Sequence, residues 1–241
     1  MELDAVATFV SACYPGPKGP PNMPANSKSS KSLTASRLES ETRRGRETEP
    51  AVAQAYDNLV ERLIKSGAGS NSPRDGDALP PFALPDENGR LVRSADFAGQ
   101  KTVIVSLNRG HWCSYCRIEL EGLQSIHDQV VRRGGAIVAI TPDRQAYARK
   151  LKERCGLAFP VLTDMDNAYA MSLGLAVWAG EEIRALYEQS HLDLAESQGN
   201  GSWLIPIPAT YIVEPDGRIK ASFVDADFRK RMPPEEILRA I

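Results

Sequence analysis

Apolar residues in this chain fall into distinct regimes. Through residues 14–50 they are scarce: among Pro, Ser, Gly, Lys and Arg, only Tyr14, Met23, Leu33 and Leu38 are large and apolar. Such a stretch cannot bury enough surface to offset the entropy of ordering it, so residues 1–49 are read as a disordered low-complexity tail. Helical periodicity begins in PAVAQAYDNLVERLIKSG, where Val52, Tyr56, Leu59, Val60 and Leu63 share one face. Pro50 suits the first turn and Gly67 the stop, which sets an N-terminal helix within residues 50–70.

Residues 71–241 carry the pattern of an α/β domain. FALPDENGRLVR reads as a hairpin about Asn88-Gly89, with Ser94 placed to cap a short helix. TVIVSLN (102–108) and AIVAIT (136–141) are continuous apolar runs, the kind buried on both faces of a sheet. Between them a helix runs from about Ser114 to Arg133. A second helix passes through YARKLKER, FPVLTD gives a short strand, and DNAYAMSLG a short helix. ATYIVE (209–214) and IKASFV (219–224) pair across Pro215-Asp216-Gly217, and PPEEILRAI opens a last helix on its prolines. Residues 175–207 are an insert with a helix at EEIRALYEQ, expected to shape substrate access or form a homodimer contact. The order of elements predicts a central mixed β-sheet flanked by helices.

Charge and cysteine usage narrow the picture. There are 29 Lys and Arg against 31 Asp and Glu, a net charge of −2. That balance gives no basis for nucleic acid as a partner, and RRGR in the tail reads as a solvated basic patch. No apolar run approaches the ~18 residues that span a bilayer. Glu2 and Asp4 stand where a secretory signal needs Lys or Arg, so neither a leader nor a membrane partner is expected. Four cysteines do not make a disulfide scaffold in a chain of this length, and a reducing cytoplasm is the expected compartment.

Cys113 and Cys116 stand in RGHWCSYCRIEL, where the first buried strand hands over to a helix. Unpaired N–H groups and the helix dipole stabilise an anion there, which depresses the pKa of a thiol. Cys116 belongs to the inward stripe of Leu120, Leu123 and Val130, while Cys113 precedes it. Cys113 is therefore expected to be the more accessible sulfur and the nucleophile. Cys116 would attack a sulfenic acid or mixed disulfide formed on it. A zinc site would need two more ligands at suitable spacing, and the scattered His111, His127, His191, Cys13 and Cys155 do not supply them. No metal or other cofactor is expected. His111 would tune the thiolate or simply be solvated, and Trp112 reads as a lid or packing residue. Cys155, before Gly156 at a helix end, reads as a passive thiol, with resolution as its alternative role. Pro208 precedes a buried strand, a place that suits a cis bond or a strand edge; Pro206 fits the edge role equally.

The segments DGDALPPFALPDENGRLV, RGHWCSYCRIEL, AIVAITPD, GLAFPVLTD, PIPATYIVEPDGRI and FVDADFRKRMPPEEIL occur in an order that carries a resemblance. From about residue 50 the chain resembles the thioredoxin superfamily. Within it, the chain is similar to the peroxiredoxin-like branch of the alkyl hydroperoxide reductase and thiol-specific antioxidant family. The resemblance implies a thioredoxin-like fold. It also implies reduction of hydrogen peroxide and organic hydroperoxides by Cys113 and Cys116, with recycling by a thioredoxin-like or other dithiol donor. Arg109, His111, Trp112, Pro208 and Thr210 are the residues expected to shape the site. Departures are as clear. Peroxiredoxins carry P-x-x-x-T-x-x-C; counted from Cys116 those positions hold Arg109 and Cys113, and from Cys113 they hold Ser106 and Gly110. Pro208 stands where the family places an arginine, and no cysteine follows Cys155. Superposed motifs assign the peroxidatic role to Cys116, whereas helix geometry favours Cys113. Two other readings fit the residues: an oxidoreductase acting on protein disulfides, and a redox-sensing module tethered by its basic tail.

Overall fold

The computed structural model describes residues 32–241, and the rest of the expected tail lies outside them. Helices α1 (Leu33–Thr48) and α2 (Pro50–Lys65) come first, followed by a hairpin of β1 (Ala83–Pro85) and β2 (Leu91–Arg93). Next come β3 (Thr102–Leu107), α3 (Ser114–Arg132), β4 (Gly135–Thr141), α4 (Gln145–Cys155) and β5 (Val161–Thr163). After α5 (Ala168–Ser172), the insert holds β6 (Ala176–Trp178), α6 (Glu181–Gln189), α7 (Leu194–Gln198) and β7 (Leu204–Pro206). Strands β8 (Ala209–Val213) and β9 (Ile219–Val224) and helix α8 (Pro234–Ala240) close the chain.

The main sheet has the order β5-β4-β3-β8-β9, parallel from β3 through β5 and antiparallel from β3 through β9. It is the mixed, helix-flanked sheet that the pattern predicts. Strand β3 is central because its residues alternate between two apolar layers. Val103, Val105 and Leu107 pack with Val138, Ile140 and Tyr211 beneath the hairpin's Phe82. Ile104 faces Leu120, Leu123 and Val130 of α3, with Leu151 of α4 and Ile237 of α8 in the same layer. A third cluster sits over the N-terminus of α3. There Leu38 of α1, Tyr56 and Leu59 of α2, Tyr187 of α6 and Phe228 pack around Trp112, Cys113 and Tyr115.

Helix α1 departs from the expectation of a tail disordered through residue 49. It buries only Thr34 and Leu38, so no apolar stripe announces it in the sequence. Its stability comes from docking on α3. Gly122 makes the approach close: a Cβ there would lie 2.5 Å from the Thr34 hydroxyl and 3.2 Å from the ring of Pro234. The hydroxyl of Thr42 meets that of Tyr115 at 3.2 Å, and Arg37 pairs with Glu121 at the surface. Burying Leu38 contributes about 1.5–3 kcal/mol, more than the ~0–1 kcal/mol of an exposed ion pair, so the apolar contact dominates.

Helix α2 begins at the expected Pro50 and ends at Lys65. Pro50 is at the first turn, and after Lys65 the N–H groups of Gly67 and Ala68 return to the carbonyls of Ile64 and Leu63 in a Schellman motif. Two local expectations are corrected. Ser94 opens a 3₁₀ turn, but its hydroxyl accepts from the N–H of Phe82, and the turn is closed by Asp96 accepting from the N–H of Arg93. Pro208 is trans, as are all the described peptide bonds. It lies between β7 and β8, one residue before the ladder begins, so the sheet does not need its missing N–H. Among the described residues, no helix is long and apolar enough to cross a membrane.

Substituting Gly122→Val should expel α1 from α3. The expected outcome is faster proteolysis within residues 33–48 and a loss of about 1–3 kcal/mol in denaturant unfolding, with the circular dichroism of the sheet domain retained.

Candidate active site

The CxxC segment is placed by the end of β3 and by one glycine. After Leu107 the chain runs through Asn108 and Arg109 and turns at Gly110, whose φ is +147°. A Cβ at Gly110 would lie 2.4 Å from the indole nitrogen of Trp112, so only glycine lets Trp112 fold back over the turn. Cys113 is then the N-cap of α3, and its sulfur accepts from the N–H of Cys116 at 3.4 Å. The three cysteines among the described residues are free thiols; Cys113 and Cys116 are close but not bonded.

Both sulfurs of the pair are covered, contrary to the expectation that Cys113 is accessible. Cys113 is 3 % exposed and Cys116 fully buried. The reason lies outside the CxxC segment. Tyr56 from α2, Tyr187 from α6 and Phe228 from the chain after β9 close over Cys113 together with Trp112. Trp112 packs edge-on to Tyr187 at 5.1 Å, and Tyr56 does the same to Phe228 at 5.1 Å. Trp112 is thus a packing residue within a lid built mainly by other segments.

Arg109 lies inside this aromatic cage, 1 % exposed. Its guanidinium sits 3.8 Å from the ring centre of Phe228 and 4.9 Å from that of Trp112. One nitrogen, Nη2, donates to the Tyr187 hydroxyl at 3.4 Å; Nε and Nη1 have no hydrogen-bond partner among the described residues. No described carboxylate pairs with it. Its electrostatic partners are the hydroxyls of Tyr187 and Tyr56 and the two cysteine sulfurs.

A second arginine, Arg231, reaches the other sulfur. Its Nη2 donates to the Cys116 sulfur at 3.4 Å, and its Nε to Glu119 at 2.6 Å. Glu119 also accepts from the hydroxyl of Thr210 at 3.0 Å. Glu119 lies three residues after Cys116 on α3, one turn along the same inward face. The backbone N–H of Arg109 completes the shell of Cys116 at 3.4 Å.

These contacts divide the two thiols. Burial pushes the Cys113 pKa up. The hydrogen bond from the Cys116 thiol, the charges of Arg109 and Arg231 and the Cys116 N–H outweigh it, and bring the value down to about 6. Cys116 is driven well above the ordinary range by burial, then by its hydrogen bond to Cys113 and the charge there. Burial and the nearby Cys116 raise Glu119 to about 7, although Arg231 and Thr210 favour its ionised form. The site therefore holds a thiolate, a protonated thiol and a carboxyl that titrates near neutrality.

The other expected residues are placed as follows. Thr210 is in the site, through Glu119. Pro208 is buried just ahead of β8. His111 is neither solvated nor bonded to a sulfur: its N–H donates to Asp143 at 2.6 Å and its Nδ1 lies 3.2 Å from the same carboxylate. It ties the turn to the end of β4, where Thr141 also bonds Asp143 at 2.9 Å. Cys155 lies in the core layer with Leu120 and Leu151, and burial pushes its pKa up to about 12. It is a buried, free thiol in the core layer. Among the described residues, no three His, Cys, Asp or Glu side chains converge as a metal site would require. Glu119, Arg231, Tyr187 and Phe228 are not expected from the sequence, and Tyr56 is expected only as a core residue of the N-terminal helix, not in the site. A carboxylate on the inward face of α3 was the one signal available for any of them.

Known proteins share this arrangement of elements. Peroxiredoxin Bcp of Escherichia coli strain K12 is 24% identical over 156 residues, covering 64% of this chain and 88% of its own length. Thiol-disulfide oxidoreductase ResA of Geobacillus thermodenitrificans is 24% identical over 147 residues, 60% of this chain and 66% of its own. In structure, Peroxidoxin BcpB of Mycobacterium tuberculosis matches with a TM-score of 0.54 at 17% identity, covering 70% of this chain and 96% of its own. The sequence model of the AhpC/TSA family matches residues 76–222, which leaves α1, α2, Phe228 and Arg231 outside the matched region. With more than half of its 241 residues matched, from the hairpin into β9, the chain belongs to the AhpC/TSA family, the peroxiredoxin-like branch of the thioredoxin superfamily.

Proposed function

We propose that the protein is a thiol peroxidase in which Cys113 is the peroxidatic cysteine and Cys116 resolves it. The observation that carries this reading is Arg109, a buried cation beside the Cys113 thiolate with two N–H groups free to hold an oxygen. With Cys113 as the peroxidatic cysteine the P-x-x-x-T-x-x-C positions hold Ser106 and Gly110, and Arg109 offers the polarising group in their place. The Cys113 thiolate attacks one oxygen of the peroxide, the O–O bond breaks, and the departing hydroxide takes up a proton to become water. Arg109 offsets the charge that develops on that oxygen. The Cys116 thiol then gives its proton to the Glu119 carboxylate and attacks the sulfenic acid. A disulfide forms, and the hydroxide that leaves recovers the proton from Glu119 as water. A thioredoxin-like dithiol returns the pair to its reduced form and is itself oxidised to a disulfide.

Oxidoreduction of protein disulfides is the second reading. It is favoured by the unequal acidity of a CxxC pair at a helix N-terminus and by the likeness to ResA. Burial of both sulfurs speaks against a docked protein substrate in this conformation.

The deciding measurement is the second-order oxidation of fully reduced protein by hydrogen peroxide. A rate far above that of a free thiolate is expected, absent in Cys113→Ser; Cys116→Ser should react at a similar rate and stop at a trappable sulfenic acid. A rate no better than an ordinary thiolate would leave the disulfide reading standing.

Since the thiolate is the reactive species, oxidation should be full well above pH 6 and fall as pH drops through about 6, the folded value for Cys113. Removing the Arg109 charge in Arg109→Met should move that midpoint upward, read as the ultraviolet absorbance of the thiolate.

Glu119→Gln should leave the first step intact while slowing disulfide formation by about 10²–10⁴-fold. Sulfenic acid should accumulate, and the pH dependence of resolution near 7 should vanish. Normal resolution in this variant would dismiss Glu119 as the proton acceptor.

A further inference from the structure

The cage over Cys113 is stapled from several directions, and this bears on which oxidants reach the sulfur. Tyr56 and Tyr187 meet hydroxyl to hydroxyl at 3.1 Å, joining α2 to α6 across the guanidinium of Arg109. Phe228 is held down by its neighbour Arg229, which bonds Asp57 of α2 at 2.5 Å. Tyr115 packs edge-on to Phe228 at 5.4 Å from below. Arg62 of α2 fixes the entrance of the insert through the carbonyls of Trp178 and Ala179, at 2.8 and 3.0 Å. Tyr56, Tyr187, Trp112 and Phe228 are all at most 8 % exposed, so the lid is a packed layer.

One small cavity comes up against this layer. It lies at the corner of α1 and α2, is bounded by Glu41, Thr42, Glu49, Tyr56, Ser114 and Tyr115, and measures about 20 Å³. A volume of that size accommodates about one water-sized molecule. Ser114 and Tyr56 link it to the cage, since Cys113 precedes Ser114 and packs in the same cluster as Tyr56.

We infer that the cage formed by Tyr56, Trp112, Tyr187 and Phe228 makes the reduced dithiol selective for hydrogen peroxide and excludes bulky organic hydroperoxides. This rests on the peroxidase reading and narrows its substrate. The selection acts on the dithiol form, the one that meets peroxide. An alkyl or aryl hydroperoxide reaches Cys113 only after Tyr56 has left Tyr187 and Phe228. The cage elements are α2, α6 and the chain after β9; Tyr56 and Phe228 lie outside the region matched by the family model, and Trp112 and Tyr187 within it.

The test is single-turnover oxidation of the reduced protein by hydrogen peroxide and by cumene hydroperoxide, in wild type, Tyr56→Phe and Tyr56→Ala. Hydrogen peroxide is expected to react about a hundredfold faster in wild type, the cost of parting two aromatic pairs and one hydrogen bond. Tyr56→Phe keeps the ring and should keep most of that preference. Tyr56→Ala opens the cage and should bring the two rates within about tenfold of each other. A parallel series on wild type compares iodoacetamide with the bulky 5,5′-dithiobis(2-nitrobenzoate), and stands even if Tyr56→Ala does not fold. Rapid capture of Cys113 by the small reagent alone supports the cage; equal capture by both overturns it. Equal rates for the two peroxides in wild type, or an unchanged preference in folded Tyr56→Ala, would also overturn it. Slow reaction with both peroxides, with the small alkylating reagent still preferred, would dismiss the peroxidase reading and leave the size restriction standing.

Discussion

A guanidinium buried without a carboxylate is costly, and the placement of Arg109 is the constraint on which the rest of the site depends. Uncompensated, such a charge costs several kcal/mol in a protein interior. Three things offset it here: the faces of Phe228 and Trp112, the hydroxyl of Tyr187 and the negative charge on Cys113. The aromatic residues therefore cover the sulfur and at the same time make the cation tolerable. The thiolate persists in a dry place because the cation is there, and the cation because the thiolate is. Removing either leaves the other uncompensated, which is the physical sense in which Arg109 and Cys113 form one unit.

Around that unit the buried charges close on themselves. Arg109 and Arg231 are cationic; the Cys113 thiolate is anionic, and so is the Glu119 carboxylate above about pH 7. The second pair, Arg231 and Glu119, lies against Cys116, so each sulfur faces a guanidinium while only one faces a titratable carboxyl. This explains why two cysteines three residues apart, on one helix and equally buried, part so widely in acidity. Cys113 gains the hydrogen bond from the Cys116 thiol, then two cations and the N–H at the helix N-terminus. Cys116, one turn further in, gains burial and the charge of its neighbour.

The sheet and its flanking helices were legible from apolar pattern: continuous apolar runs in β3 and β4, the paired runs of β8 and β9, and the inward stripe of α2 and α3. The CxxC pair was legible because its position at a strand-to-helix junction has a direct electrostatic meaning. What could not be read is what arrives from far along the chain. Leu38, Tyr56, Tyr187, Phe228 and Arg231 come from segments whose only common property is meeting over the N-terminus of α3. Helix α1 was missed for a related reason, since one buried leucine and a close approach at Gly122 leave no mark in its own residues. Helix geometry placed Cys113 ahead of the buried stripe, and that placement is right. Its exposure was misjudged because covering elements, not the helix, decide exposure.

The same charge accounting distinguishes the two redox states in the proposed cycle. In the dithiol form the thiolate of Cys113 balances Arg109. Once a disulfide forms, neither sulfur carries charge, and the four buried groups change from two cations and two anions to two cations and one anion. Arg109 cannot shed its proton to compensate, because guanidinium remains protonated at any pH the fold survives. The disulfide state thus bears an electrostatic cost that the dithiol state does not, and reduction relieves it. A low thiol pKa in the reduced form and a readily reduced disulfide in the oxidised form are then two consequences of one buried cation.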